Sequence, residues 1–193
     1  MQRMCVVIWR GLQLVAIPEV SYCGLAYRAH HPGWAWDAES GEGARLHGGR
    51  FNPKGVAALY LSLRYEAAWA EAQQAFPFKP QPMTLCAYEV DCDRIVDLRD
   101  PSVCQQLGIL PAQLACAWED LLSRSLTPLT HDIAMRLMRA GSQGILVPSF
   151  APGAPHQASN LVLWNWFRKS PNKVRCLDDH DRLQKPPTAA DVE

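Results

Sequence analysis

Residues 48–72, GGRFNPKGVAALYLSLRYEAAWAEA, constrain this chain more than any other stretch. Gly48 and Gly49 admit backbone angles closed to other residues, and Asn52-Pro53-Lys54-Gly55 is turn chemistry. Residues 56–63 are mostly apolar, which predicts a strand buried on both faces. Residues 64–76 predict a helix, and Pro77 ends it because proline lacks the N–H that a further turn needs. A tight turn, a buried strand and a helix therefore follow one another directly, with Arg50 at the head and Glu71 near the end.

On the wheel of that helix, Tyr65, Trp69, Ala72 and Phe76 form one apolar stripe at helical spacing. Glu71 lies roughly opposite, among Ala67, Ala68 and Ala75. Two readings fit. A carboxylate set among alanines on a helix that is apolar on most sides points into a cleft. Alternatively, Glu71 sits on a solvated face beside Gln74, and the wheel by itself favours this second reading because charged side chains are mostly exposed.

With 193 residues, the chain is long enough to bury a sizeable core as one domain, or one domain with a tail. Lysine plus arginine equals aspartate plus glutamate at 19 each, so no overall basic field is available to hold nucleic acid directly. No apolar run approaches a membrane span, and the N-terminal apolar stretch is too short for a signal peptide. The seven cysteines include no CxxC pair and several lie in apolar runs. They read as reduced, buried small hydrophobes of a cytoplasmic protein. His30 and His31 are adjacent and no ligand pair has the usual spacing, so no metal site is expected.

Along the chain, residues 21–28 read as a strand with Tyr22, Gly24, Ala26 and Arg28 on one face. The small neighbours leave open space beside the Arg28 guanidinium; the plainer reading is a strand-end arginine reaching water. Residues 30–47 read as a loop whose Trp34 and Trp36 need burial against the core, a ligand or a partner. Residues 83–90 and 94–98 predict paired strands about an Asp91-Cys92-Asp93 turn. Asp100-Pro101 starts short helices over 102–107 and 112–123. Thr130 caps a third, with Gly141 as its stop. Residues 144–150 predict a strand broken by Pro148, and 160–167 a closing strand. Short strands with interspersed helices, without βαβ alternation, point to an α+β fold. The boundaries are one domain over 1–170, with a helical insert at about 99–142, and a tail over 171–193.

The sequence contains no phosphate-binding P-loop, no GxGxxG after a strand and no GxSxG elbow. What remains is dispersed: Arg28, Arg50, Tyr60, Glu71 and Ser149. Arginine forks bind phosphate oxygens, tyrosine stacks on planar rings, and a carboxylate stabilises the cation that develops when a glycosidic bond breaks. Each also has a structural reading. Arg50 would pin its turn through carbonyls, Tyr60 would be a core aromatic, and Ser149 would cap local backbone.

Tyr27-Arg28, GGRFNPKG, ALYLSL, EAAWAE, GILVPSF and NLVLW, in this order, resemble the RES-domain family, toxins partnered with an Xre-type antitoxin. The resemblance covers most of residues 21–168. It implies a fold similar to the ADP-ribosyltransferase toxins and NAD as substrate, cleaved at the nicotinamide–ribose bond. ADP-ribose then passes to water, to phosphate or to a protein acceptor. EAAWAE lacks the Gln/Glu-x-Glu pattern of arginine-specific transferases. The family's arginine, glutamate and serine match Arg28, Glu71 and Ser149; Glu66 rivals Glu71 within EAAWAE. The resemblance implies that Arg28 and Arg50 hold the pyrophosphate or the neighbouring ribose and that Tyr60 packs on nicotinamide. Glu71 would stabilise an oxocarbenium-like transition state, and Ser149 would orient the ribose or Glu71. It further implies an antitoxin that fills or covers the cleft, docking on an exposed apolar patch, and growth arrest without it. An RNA-directed or non-catalytic binding module is the competing reading, favoured by the Trp-rich loop and the Arg-rich 124–139 segment and opposed by the neutral charge.

Overall fold

The computed structural model describes residues 6–9, 13–74 and 80–183. Strands β1 (Val6–Trp9) and β2 (Gln13–Ala16) form a separate antiparallel pair. The main sheet contains β3 (Val20–His30), β4 (Leu59–Ser62), β5 (Thr84–Asp97), β6 (Gly144–Pro148), β7 (Ser159–Leu163) and β8 (Lys173–Cys176). Its order is β3-β4-β7-β6-β5-β8, and β3 also pairs with β5. The pairings thus join β3, β4, β7, β6 and β5 into a ring with β8 on the outer edge of β5. The seam of this ring is thin, since β3 and β4 share a single pair, Tyr27 with Ser62.

Six α-helices accompany these strands among the described residues. They are α1 (Glu42–His47), α2 (Tyr65–Gln73), α3 (Pro101–Gln106), α4 (Pro111–Leu114), α5 (Trp118–Ser123) and α6 (Leu129–Arg139). The architecture is α+β, as expected from short strands without regular alternation. Helices α3 to α6 fill the region between β5 and β6.

The central strands are buried on both faces, so alternate residues feed two cores. On one side Phe51, Val96, Ile145, Val147 and Val162 pack with Leu114, Ile133 and Leu137 of the helical region. On the other side Ala26, Leu59, Leu61, Tyr88, Leu161 and Leu163 form a second cluster. Each fully buried leucine contributes about 1.5–3 kcal/mol relative to exposure.

Several boundaries depart from the sequence expectations. Residues 84–97 are one strand, not a hairpin about 91–93. Tyr22 and Cys23 of β3 stay paired with Cys92 and Asp91, and Cys92 remains in step with buried Val90. The irregularity is absorbed at Arg94, which takes a φ of 60°. The expected loop over 30–47 contains a 3-10 helix (Pro32–Asp37) and α1. The 112–123 helix is two pieces. Thr130 lies inside α6, fully buried, and Pro128 occupies the N-cap. Gly141 closes α6 at a φ of 89°, as glycine permits. The sheet also runs past residue 170: β8 pairs with β5, and Val174 is fully buried against Val90. The expected extension of α2 to Phe76 and its stop at Pro77 lie outside the described residues.

Candidate active site

Helix α2 is turned opposite to the wheel's simplest reading. Ala67 and Ala68 are 0% and 3% exposed, whereas Tyr65 and Trp69 are 55% and 41% exposed. Small side chains let the helix lie close on β3, which the bulky stripe would prevent. Tyr65 still makes an edge contact with Tyr27, at 6.1 Å between ring centroids. Glu71 follows Ala67 by four residues and Ala68 by three, so it shares their inward face. Its rival Glu66 pairs with Arg64 at 3.0 Å on the outer side, and that hydrogen bond holds its carboxyl below the usual range.

The Glu71 carboxylate is held at both oxygens. Ser149 Oγ donates to Oε1 at 2.7 Å, and Asn160 Nδ2 donates to the same oxygen at 2.5 Å. Gln74 Nε2 donates to Oε2 at 2.8 Å. Asn160 is itself oriented by Ser62, whose hydroxyl donates to Asn160 Oδ1 at 2.7 Å. The chain Ser62–Asn160–Glu71 runs from β4 through β7 to α2. It therefore locks the carboxylate to the strands beneath it.

This group faces a cleft of about 370 Å³, within the range of small-molecule sites, about 300–1,000 Å³. The cleft straddles the thin β3–β4 seam, with Tyr27, Arg28 and Ala29 on one side and Tyr60, Leu61 and Ser62 on the other. Arg28, Arg50, Tyr60 and Glu71 all line it, although they are far apart in sequence. Ser149 reaches it through Glu71.

Arg50 carries the positive wall. Its Nη1 donates to the carbonyls of Cys116 (2.6 Å) and Leu114 (3.2 Å), and its guanidinium lies 4.6 Å from the centre of the Phe150 ring. Burial pushes its pKa down, with the nearby Cys116 and Glu71 pulling it back up; an arginine remains charged throughout the working range. Arg50 does pin carbonyls, but those of the helical region rather than of its own turn. Arg28 uses Nη1 on the carbonyls of Ser40 (2.8 Å) and Ala38 (3.2 Å). In both arginines Nε and Nη2 have no protein acceptor among the described residues, which leaves donors of the kind a phosphate accepts.

Tyr60 holds the turn at the head of the motif. Its hydroxyl donates to Asn52 Oδ1 at 2.7 Å and accepts from the Phe51 N–H at 2.9 Å. Burial raises its pKa far above the ordinary tyrosine value, so it stays protonated. Its ring lines the cleft while its hydroxyl serves the structure. Buried Asn52 completes the turn, donating to the carbonyls of Ala44 and Val56 at 2.8 Å each. His131 Nε2, from α6, donates to the Gly49 carbonyl at 2.8 Å. Asn52 holds the turn that its sequence chemistry announced. Sequence reasoning missed the roles of Asn160 and His131, whose signals were slight: a polar residue heading an apolar strand, and a histidine on the mostly apolar face of a helix.

Among the described residues no group of three or more His, Cys, Asp or Glu side chains is placed to hold a metal ion, and the six described cysteines are all free. No helix among them is long and apolar enough to cross a membrane.

Fold and site together define an α+β domain whose cleft sets one braced carboxylate opposite arginine donors. The family model for the RES domain matches residues 25–185, and the chain belongs to that family. Five chains of solved structures match its fold. One is from the M. tuberculosis MbcT–MbcA toxin–antitoxin complex, with a TM-score of 0.61 and 21% sequence identity over 83% of this chain and 84% of that one. A search of curated protein sequences gave no match.

Proposed function

We propose that this chain is a toxin that consumes NAD by breaking the bond between nicotinamide and ribose. The observation that carries the reading is the braced Glu71, with Ser149 and Asn160 on one oxygen and Gln74 on the other, in the same cleft as Arg50 and Arg28. Membership of the RES family supports it.

In this reading the free donors of Arg28 and Arg50 take the pyrophosphate, and the Tyr60 ring packs on nicotinamide. The glycosidic electron pair leaves with nicotinamide, which departs neutral from its cationic precursor, so no general acid is needed. Positive charge then develops on the ribose, and the fixed Glu71 carboxylate stabilises it. Water, phosphate or a protein side chain closes the oxocarbenium ion. A protein antitoxin of the Xre type covers the cleft; support for a protein partner comes from the toxin–antitoxin complex that supplies the structural match. Exposed Trp69 and Tyr65 beside the cleft suit such docking. The protein acts in the cytoplasm and arrests growth when its partner is missing.

The test is nicotinamide release from NAD by the purified chain. Wild type is expected to turn over, and Glu71→Gln to lose at least about 100-fold in kcat. Turnover unchanged by Glu71→Gln would remove Glu71 from the chemistry. RNA binding that weakens steeply with salt, without NAD turnover, would replace the reading by an RNA-directed one.

A further inference from the structure

We propose that Trp118, at the start of α5, is the wall on which the adenine ring of the dinucleotide stacks. The proposal rests on the NAD reading of the cleft and adds a specificity residue from the helical region. Trp118 is half-buried and lines the same cleft as Glu71 and Arg50.

Its position relative to Arg50 is set by one peptide group. The Cys116 carbonyl accepts the Arg50 Nη1 at 2.6 Å and the Trp118 backbone N–H at 2.8 Å. The guanidinium and the Trp118 backbone thus share one oxygen, and the buried Leu114 carbonyl holds the guanidinium a second time. Two such bonds from the helical region to a half-buried cation are structurally costly to lose, because the cation would be left without these acceptors. So α4 and α5 do not merely cover the sheet; they bring a planar aromatic into the cleft that Arg50 lines.

The end of the substrate follows from how the two walls are held. Glu71 belongs to the end where the ribose bond breaks, and its braces come from α2, the β6 end and β7. The Trp118 backbone shares its anchoring carbonyl with Arg50 instead. In a dinucleotide the pyrophosphate separates the two rings. With Arg50 on the pyrophosphate and Glu71 at the nicotinamide ribose, the aromatic on the Arg50 anchor meets the adenine half. An indole supplies a large, rigid stacking surface for such a ring.

The experiment uses the purified full chain and three variants, Trp118→Ala, Trp118→Leu and Trp118→Phe, with native-like circular dichroism as the entry condition for each. Kinetics with NAD, and binding of ADP-ribose and of nicotinamide mononucleotide, are measured. The expected result is a KM for NAD and a Kd for ADP-ribose raised about 10- to 100-fold in Trp118→Ala and Trp118→Leu. The loss falls on KM rather than kcat, affinity is largely restored in Trp118→Phe, and nicotinamide mononucleotide binding is little changed. Titrating wild type with ADP-ribose also quenches tryptophan emission, and Trp118→Phe loses most of that quench, which keeps the test alive if the two smaller variants fail to fold. Wild-type NAD turnover with unchanged KM in Trp118→Leu, or a quench intact in Trp118→Phe, overturns the proposal and leaves the NAD reading standing. A loss confined to nicotinamide mononucleotide overturns the adenine assignment. Wild type that neither binds ADP-ribose nor cleaves NAD overturns both.

Discussion

Asn160 spends both ends of its amide on the site: Nδ2 on Glu71 and Oδ1 on Ser62. Replacing it by alanine leaves Glu71 one brace short without touching the arginines. Asn160→Ala is expected to lower kcat for nicotinamide release about 10- to 100-fold with little change in KM, since a displaced group costs rate rather than binding. Asn160→Asp replaces the amide donor by a carboxylate that can only accept, so it removes the same brace and sets like charges together; its loss in kcat is expected to be at least as large as that of Asn160→Ala. Gly49 is constrained by space. A Cβ there would lie 2.5 Å from the Tyr60 hydroxyl and 2.7 Å from Asn52 Oδ1, both buried and already hydrogen-bonded to each other. Gly49→Ala is expected to destabilise the fold by about 1–3 kcal/mol in urea denaturation. Arg50, on the adjacent residue, should lose its alignment in the same variant.

At the scale of elements, α2 is governed by how near it can come to β3. Ala67 and Ala68 fit the narrow gap, and the exposed Tyr65 and Trp69 do not need to. Glu71 is carried inward as a consequence of that choice of face. The four residues of β8 make a comparable choice at the opposite edge. Val174 is fully buried on Val90, while Lys173 and Arg175 both pair with Glu89 at the surface. Surface pairs contribute little, typically up to about 1 kcal/mol, so Val174 is the chief anchor. Val174→Ala is expected to cost about 1–2 kcal/mol, read as a fall in Tm of about 2–4 °C per kcal/mol. If stability is unchanged, β8 is held by its backbone ladder alone.

For the whole molecule, the helical region between β5 and β6 joins the site to the rest of the fold. His131 holds the Gly49 carbonyl and the Cys116 carbonyl holds Arg50, so the turn at 48–52 is gripped from α6 and from the α4–α5 link. Ligand binding in the cleft should therefore stabilise the entire domain. At about 100 times its Kd, ADP-ribose is expected to add about 2.7 kcal/mol. For a chain of this size that is a rise in Tm of about 5–10 °C. A thermal shift absent at saturating ADP-ribose would detach the cleft from the proposed ligand.

Local order determined what could be read without coordinates. The apolar run at 56–63 contains a strand buried on both faces, and turn residues at 48–55 announce a tight turn. The α+β class follows from the mixture of short strands and helices. The sequence by itself also brought Arg28, Arg50, Tyr60, Glu71 and Ser149 forward as a candidate set, through residue chemistry and the order of six short motifs. Tertiary structure alone decided that α2 buries its alanines and exposes its aromatics, that 84–97 is a single strand, and that Asn160 and Trp118 complete the cleft. The reason is the range of the forces involved. Periodicity reports which side chains share a face, but which face turns inward depends on the shape of the surface it must meet. Hydrogen bonds such as Asn160 to Glu71 join residues that only the closed ring of strands brings within reach.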